Sequence, residues 1–279
     1  MTTKDCRIEA TVVMIDIRNF TPNLLESRVR KDGKPLFCNF LERFLNICLD
    51  CILHALPESK HANPPVYVNS TGDGILSVFY SDNHCVEAFL SGILIYNKLK
   101  PLCSTYNRQR SKKLPHVSFG IGIESGHVCK VNTSQKFKNH GLFVETYIGN
   151  AINIAARIEQ VTKDLDRTNL IVSNTAHRLL CQQLFNIDYD QLAKKVMDAR
   201  TSDKTRSATL SQMNEINNQM LLNFSHWHNL KGVKKSFPIY RLSETMSHVS
   251  SKKLLNFKRI YLTNNDLSHY NRIMAFLEK

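Results

Sequence analysis

The run IEATVVMIDI, Ile8 to Ile17, begins by alternating apolar and polar residues and ends apolar on both faces. That pattern suits a strand with neighbours on both edges and packed layers on both sides, so it predicts a central strand of a layered sheet. One residue breaks the apolar text. Asp16 places a carboxylate at the end of the run, just before the polar turn at Arg18-Asn19. A buried, unpaired carboxylate is costly, so Asp16 must either reach water or meet positive charge.

The text around this strand predicts what layers cover it. Leu36 to Leu56 spaces Phe37, Phe40, Leu41, Phe44, Leu45, Ile47 and Cys48 at helical intervals, giving one apolar face. PPVYVNSTGDGILSVFY predicts a hairpin, with strands at Val66 to Ser70 and Ile75 to Tyr80 and a turn at Gly72-Asp73-Gly74. Asn83 to Lys100 reads as a second helix, and HVSFGIGIESGHVCKV as a strand pair broken at Ser125-Gly126. A helix starting near Asn150 runs through Ile154, Ala155 and Ile158, followed by a strand at NLIVS and a short helix at TAHRLL.

The order β, α, β, β, α, β predicts an α+β fold, a ferredoxin-like βαββαβ core with additional strands and helices. Asp188 to Ser225 thins into polar, partly helical text and reads as an insertion, after which HNLKGVKKSFPIYRL restores strand character. Residues 1–242 are expected to form one domain, with 243–279 an extension of unknown role.

Composition narrows the function classes. With 279 residues and 42% hydrophobic content the chain can bury a sizeable core. It has no run of eighteen apolar residues and no leader-like N-terminus, so it is expected to be cytoplasmic, with no membrane partner. The eight cysteines are scattered singly, and buried structural thiols are the expected reading. A net charge of +13 suits nucleic acid or a polyphosphate substrate. The lysines and arginines form short dispersed clusters without a nucleic-acid motif, so no nucleic-acid partner is expected.

Asp16 ends one predicted strand and Asp73 sits in a turn between two others. Alone, Asp73 is an ordinary turn former and Asp16 a strand-closing one. Together on neighbouring strands they would repel unless divalent cations stood between them, which points to a two-metal oxygen site. A third element adds to this: in IGNAINIAARIEQ, Asn153 and Arg157 lie four apart on one helix face, beside the small Ala155 and Ala156.

Through MIDIRNFT, STGDGILSVF, FGIGIESGHV, YIGNAINIAARIE and LKGVKKSFPIYRL, in that order and spacing, the chain resembles the class III nucleotidyl cyclases. The resemblance runs from Ile8 to about Leu242, less the insertion. It implies that Asp16 and Asp73 hold two Mg²⁺ or Mn²⁺ ions, with the Ile17 carbonyl as a further ligand. The amides from Ile17 through Asn19 and Phe20 to Thr21 would cradle the β- and γ-phosphates, and Lys231 and Lys234 would contact the triphosphate. His127 is a weaker candidate for such a contact. Asn153 would orient the ribose and Arg157 would stabilise α-phosphate charge, both reaching in from the other subunit of a head-to-tail homodimer.

The chain departs from the family at the base. The two positions that select a purine hold Asn69 and Thr146, and Asn69 is neither the lysine that would read adenine nor the acid that would read guanine. An amide offers donor and acceptor, which suits a pyrimidine edge. In this the chain resembles the Pycsar-type cyclases of bacterial anti-phage systems, whose cyclic UMP or cyclic CMP triggers a cyclic-nucleotide-responsive effector. The alternatives are an adenylyl cyclase making cyclic AMP, or a degenerate cyclase-like domain that senses nucleotides.

Overall fold

The computed structural model describes residues 7–27, 29, 33–137, 140–165, 169–230 and 237–242. Strand β1 (Arg7–Arg18) leads through the short helix α1 (Phe20–Leu25) to α2 (Leu36–Ala55), and the hairpin of β2 (Val66–Ser70) and β3 (Gly74–Phe79) follows. Next come α3 (His84–Gln109), β4 (Ser118–Phe137), β5 (His140–Ile148), α4 (Asn150–Val161), β6 (Leu170–Ser173) and α5 (Asn174–Phe185). Helices α6 (Tyr189–Met197) and α7 (Asp203–Gln219) and strands β7 (Leu222–His228) and β8 (Phe237–Leu242) complete the described chain.

The strands form one sheet in the order β2-β3-β1-β4-β6-β8-β7, with β5 paired to β4. As its text predicts, β1 is central, antiparallel to β3 on one side and β4 on the other. Val13, Ile15 and Ile17 face the larger core, which also holds residues of α2, α3 and α5. Ala10 and Val12 point the other way, into a smaller cluster with Ala151 and Ala155 of α4. Phe37, Phe44, Phe79 and Phe89 are fully buried in the larger core, each worth roughly 1.5–3 kcal/mol of transfer free energy. Helix α4 lies unusually close to β4, because a Cβ at Gly122 would strike the Ala155 carbonyl and the Glu159 amide.

Three sequence expectations need correction. The expected break at Ser125-Gly126 is absent, and β4 runs on as one strand. Ser125 and Gly126 pair with Thr11 and Ala10 of β1, and the Ser125 hydroxyl bonds that of Thr11 at 2.8 Å, so the glycine extends the ladder instead of turning it. Helix α3 continues past Lys100 and through Pro101 to Gln109, because Leu102, Cys103 and Tyr106 beyond the proline are buried. Cys129 is disulfide-bonded, whereas Cys48, Cys51, Cys85, Cys103 and Cys181 are buried free thiols as expected.

The polar segment 188–225 reaches the larger core through Leu192, Ile216, Met220 and Leu222, runs into β7, and carries one buried polar cluster. The His177 Nε2–H of α5 donates to Asn217 Oδ1 of α7 at 2.8 Å, and the Asn217 amide donates to the Tyr189 hydroxyl of α6 at 3.2 Å. The imidazole stacks on the Tyr240 ring of β8 with centroids 3.6 Å apart. Among the described residues, no helix is long and apolar enough to cross a membrane.

Candidate active site

The site begins where β1 loses its β3 partner while β4 still pairs with it to Arg18. Asp16 pairs with Gly74 at the first residue of β3, so the turn carrying Asp73 lies against the end of β1. The Ile17 amide donates to the Asp73 carbonyl oxygen at 2.9 Å and fastens that turn to the strand. Gly74 allows this approach, since a Cβ there would strike the Ile15 carbonyl. The Ile17 N–H is therefore already used, and the expected cradle of amides starts beyond it.

After Arg18 the chain turns through Asn19, which takes a left-handed conformation with φ 60° and ψ 33° that asparagine tolerates better than most residues. Its amide donates to the His116 carbonyl at 2.7 Å, and Asn23 one turn on donates to the Asn19 carbonyl at 2.9 Å. The Tyr106 hydroxyl of α3 in turn donates to Asn23 Oδ1 at 3.0 Å, so the β1–α1 junction rests on a buried helix. In front of this junction lies an open cleft of about 450 Å³, lined by residues 16–22, Asp73 and Lys163.

The cleft's electrostatics follow from its acids. Burial and then the nearby Asp73 carboxylate push the Asp16 carboxyl above its usual range, while Lys163 opposes them. Glu159, near the end of α4, is buried and pushed up to about 7, chiefly by burial. Arg18, also half-buried, donates to the Thr162 hydroxyl just past α4. Two polar atoms here, Arg18 Nε and Glu159 Oε1, are buried without a hydrogen-bond partner.

No cluster of three or more His, Cys, Asp or Glu that could hold a metal occurs among the described residues. The donor set at the cleft is two carboxylates plus main-chain oxygens, which matches hard divalent cations that take one or two carboxylates and complete their shell with water and phosphate. Burial and the repulsion from Asp73, which together raise Asp16, are what such a cation would offset.

No protein-family model matches the sequence. Over 181 residues, 63% of the chain, it is 30% identical to an adenylate cyclase of Anabaena cylindrica. The chain spans about a third of the length of that curated relative, 32%. In structure it is similar to the adenylyl cyclase CyaB from P. aeruginosa, with a TM-score of 0.52 and 17% identity over 85% of this chain and 95% of that one. It is also similar to the guanylate cyclase domain of RhGC from Catenaria anguillulae in complex with GTP, with a TM-score of 0.50 and 15% identity over 85% and 97% of the two chains. This is the class III nucleotidyl cyclase fold.

Within the cyclase fold, the expected site residues fall into separate places. Asp16, Ile17, Asn19, Phe20, Thr21 and Asp73 line one cleft. Asn153 is exposed and Arg157 half-buried on α4, and neither lines that cleft; Lys163, just past the end of the helix, does. Asn69 is exposed on β2 on the same face as Tyr67, whose hydroxyl donates to the Glu145 carbonyl beside Thr146 at 3.1 Å. The Tyr67 and Tyr147 rings stand 4.8 Å apart, bringing together the strands that carry Asn69 and Thr146, the two positions expected to select the base. Lys231 and Lys234 lie outside the described residues.

Sequence reasoning missed Arg18, Glu159 and Lys163. The one signal was the four-residue spacing of Glu159 and Lys163 in EQVTK, which puts an acid and a base on one helical face. Nothing in the sequence says that this face meets Asp16, since 147 positions separate Asp16 from Lys163.

Proposed function

We propose that this chain is a metal-dependent nucleotidyl cyclase that closes a nucleoside triphosphate to a 3′,5′-cyclic nucleotide. What supports it most is the convergence of Asp16 and Asp73 on one cleft in a chain 30% identical to an adenylate cyclase. In the reaction the ribose 3′-oxygen loses its proton and attacks the α-phosphorus, the bond to the β-phosphate oxygen breaks, and pyrophosphate leaves. Two Mg²⁺ or Mn²⁺ ions would acidify the 3′-hydroxyl and offset charge on the α-phosphate.

Asp16, Asp73 and the Ile17 carbonyl would hold the cations. The main chain at Asn19, Phe20 and Thr21, where helical amides lack intrahelical acceptors, would receive the β- and γ-phosphates, with Lys231 and Lys234 adding positive charge. Asn153 would orient the ribose and Arg157 would stabilise the α-phosphate in the partner's site. Their distance from the chain's own cleft fits a head-to-tail homodimer with shared sites. Residues 1–242 would form the catalytic domain, working in the cytoplasm where nucleoside triphosphates are plentiful.

For the base, Asn69 supports a pyrimidine, giving cyclic UMP or cyclic CMP and a role in anti-phage signalling through a cyclic-nucleotide-responsive effector, while Thr146 at the other base position also suits an adenylyl cyclase. A second reading, cyclic AMP from ATP, is favoured by the name of the Anabaena cylindrica relative. Turnover of the purified protein with ATP, GTP, CTP and UTP in Mn²⁺ tests both. A pyrimidine product supports the first, cyclic AMP alone replaces it with the second, and no cyclic product from any of the four overturns the enzyme itself.

A further inference from the structure

Lys163 stands just past the end of α4, with Nζ 3.3 Å from Asp16 Oδ2 and 4.0 Å from Glu159 Oε2. A lysine at a helix C-terminus is favoured by the helix dipole wherever it points. This one points across the cleft, to the carboxylate that the proposed function assigns to a metal. Its side chain is 44% exposed, so the ammonium can leave without disturbing the core.

An ammonium 3.3 Å from Asp16 Oδ2 and a divalent cation on the same carboxylate repel each other, so a seated lysine weakens the cation's hold. With the lysine in place, like-charge repulsion between Asp16 and Asp73 is partly offset, and so is the charge of Glu159 beneath them. A metal arriving alone must displace that lysine into water. A metal arriving with a triphosphate brings the displaced ammonium a new anionic partner in the same cleft, beside residues 17–22.

We infer that Lys163 is a displaceable counter-ion that seats itself on Asp16 when no metal is bound and competes with the cation, making metal and triphosphate load together. This rests on the cyclase reading only in taking Asp16 as a metal ligand. Its position is held by two side-chain bonds: the Arg18 guanidinium of β1 donates to the Thr162 hydroxyl, and that hydroxyl donates to the Glu159 carbonyl at 2.5 Å, so the segment carrying Lys163 is tied to the strand carrying Asp16.

The test is Mn²⁺ binding to the nucleotide-free protein, followed by the loss of the free-ion electron paramagnetic resonance signal. Removing a competitor worth one partly exposed ion pair should tighten Mn²⁺ binding about three- to fivefold in Lys163→Met and in Lys163→Gln. Lys163→Arg, which keeps the charge, should bind as wild type does. Asp16→Asn should lose the site. If Lys163→Met and Lys163→Gln bind Mn²⁺ no more tightly than wild type while Asp16→Asn has lost binding, the counter-ion role is overturned and the metal site stands. If Asp16→Asn binds Mn²⁺ like wild type, the metal assignment of Asp16 falls, and this inference falls with it. A lysine that only closes the helix end would lower the melting temperature on substitution and leave Mn²⁺ affinity unchanged.

Discussion

The Ile17 amide and the Asp73 carbonyl oxygen are joined by a 2.9 Å hydrogen bond, so the two acids of the cleft are positioned by main chain and not by their own side chains. Carboxylate and scaffold are therefore separable. Asp16→Ala and Asp73→Ala should each lower cyclase activity by more than about a hundredfold, since loss of even an outer partner of a metal ligand typically costs 10–100-fold. Both should keep a wild-type far-ultraviolet circular dichroism spectrum. Activity within a few-fold of wild type in either variant would show that the acids do not hold the metals.

Asn153 and Arg157 sit on α4 away from the cleft of their own chain, and a shared site makes a prediction no single-chain site does. Asp73→Ala and Asn153→Ala proteins, each inactive alone, should recover activity on mixing, because a mixed dimer has one site built wholly from intact residues. Random exchange of equal amounts predicts about a quarter of wild-type activity. No recovery after verified subunit exchange would mean that both sets of residues serve the same chain.

What the sequence revealed and what it hid differ in range. The central strand, the hairpin turn at Asp73 and the helix bearing Asn153 and Arg157 were legible because each depends on local periodicity and turn chemistry. Residues 118–137 were misread as a broken pair because Ser125-Gly126 is a local turn signal, and only pairing with Ala10 and Thr11, more than a hundred positions earlier, overrides it. The extent of α3 was hidden likewise, since Pro101 argues locally for a stop that the burial of Tyr106 outweighs. Segment 188–225 looked like loose polar text because α6 and α7 bury only Tyr189, Leu192, Thr209, Ile216 and Asn217, too few apolar positions to write a helical stripe. At the site, Lys163 had no motif around it, and its meaning lies in a contact across the fold.

Two buried groups outside the cleft give stability opposite dependences on pH. Glu124, on the α4 face of β4, has its carboxyl pushed up to about 7 by burial, against the Ser173 and Thr175 hydroxyls, and its Oε2 has no hydrogen-bond partner. The folded protein keeps that proton to about pH 7 while the unfolded chain releases it near 4.5, so this contribution is full below 4.5 and lost as pH rises through 7. His177, pushed down to about 4 by burial, works the other way: its contribution is full above 6.5 and lost as pH falls toward 4. Glu124→Gln, which removes the buried charge, should raise stability at pH 8 by about 1–3 kcal/mol and by clearly less at pH 5. Urea unfolding at the two pH values checks this, and an equal shift at both would show that Glu124 is not ionising in that range.

Asn69 separates the question of the base from that of the reaction. It is exposed on β2, the cleft side chains of Arg18, Asn19 and Lys163 bond to other residues, and Tyr67 on the same face bonds the Glu145 carbonyl of β5, so its substitution should leave the acids and α4 in place. A lysine there would offer adenine N1 a charged donor that an amide lacks, and a charged hydrogen bond is worth enough to shift discrimination roughly tenfold. Asn69→Lys should therefore raise kcat/KM for ATP relative to UTP and CTP by about that factor, with the change confined to the base. Competition assays with paired nucleotides measure it directly. If Asn69→Lys leaves the ratio between nucleotides unchanged while total turnover persists, position 69 does not read the base, and the pyrimidine reading loses the residue on which it stands.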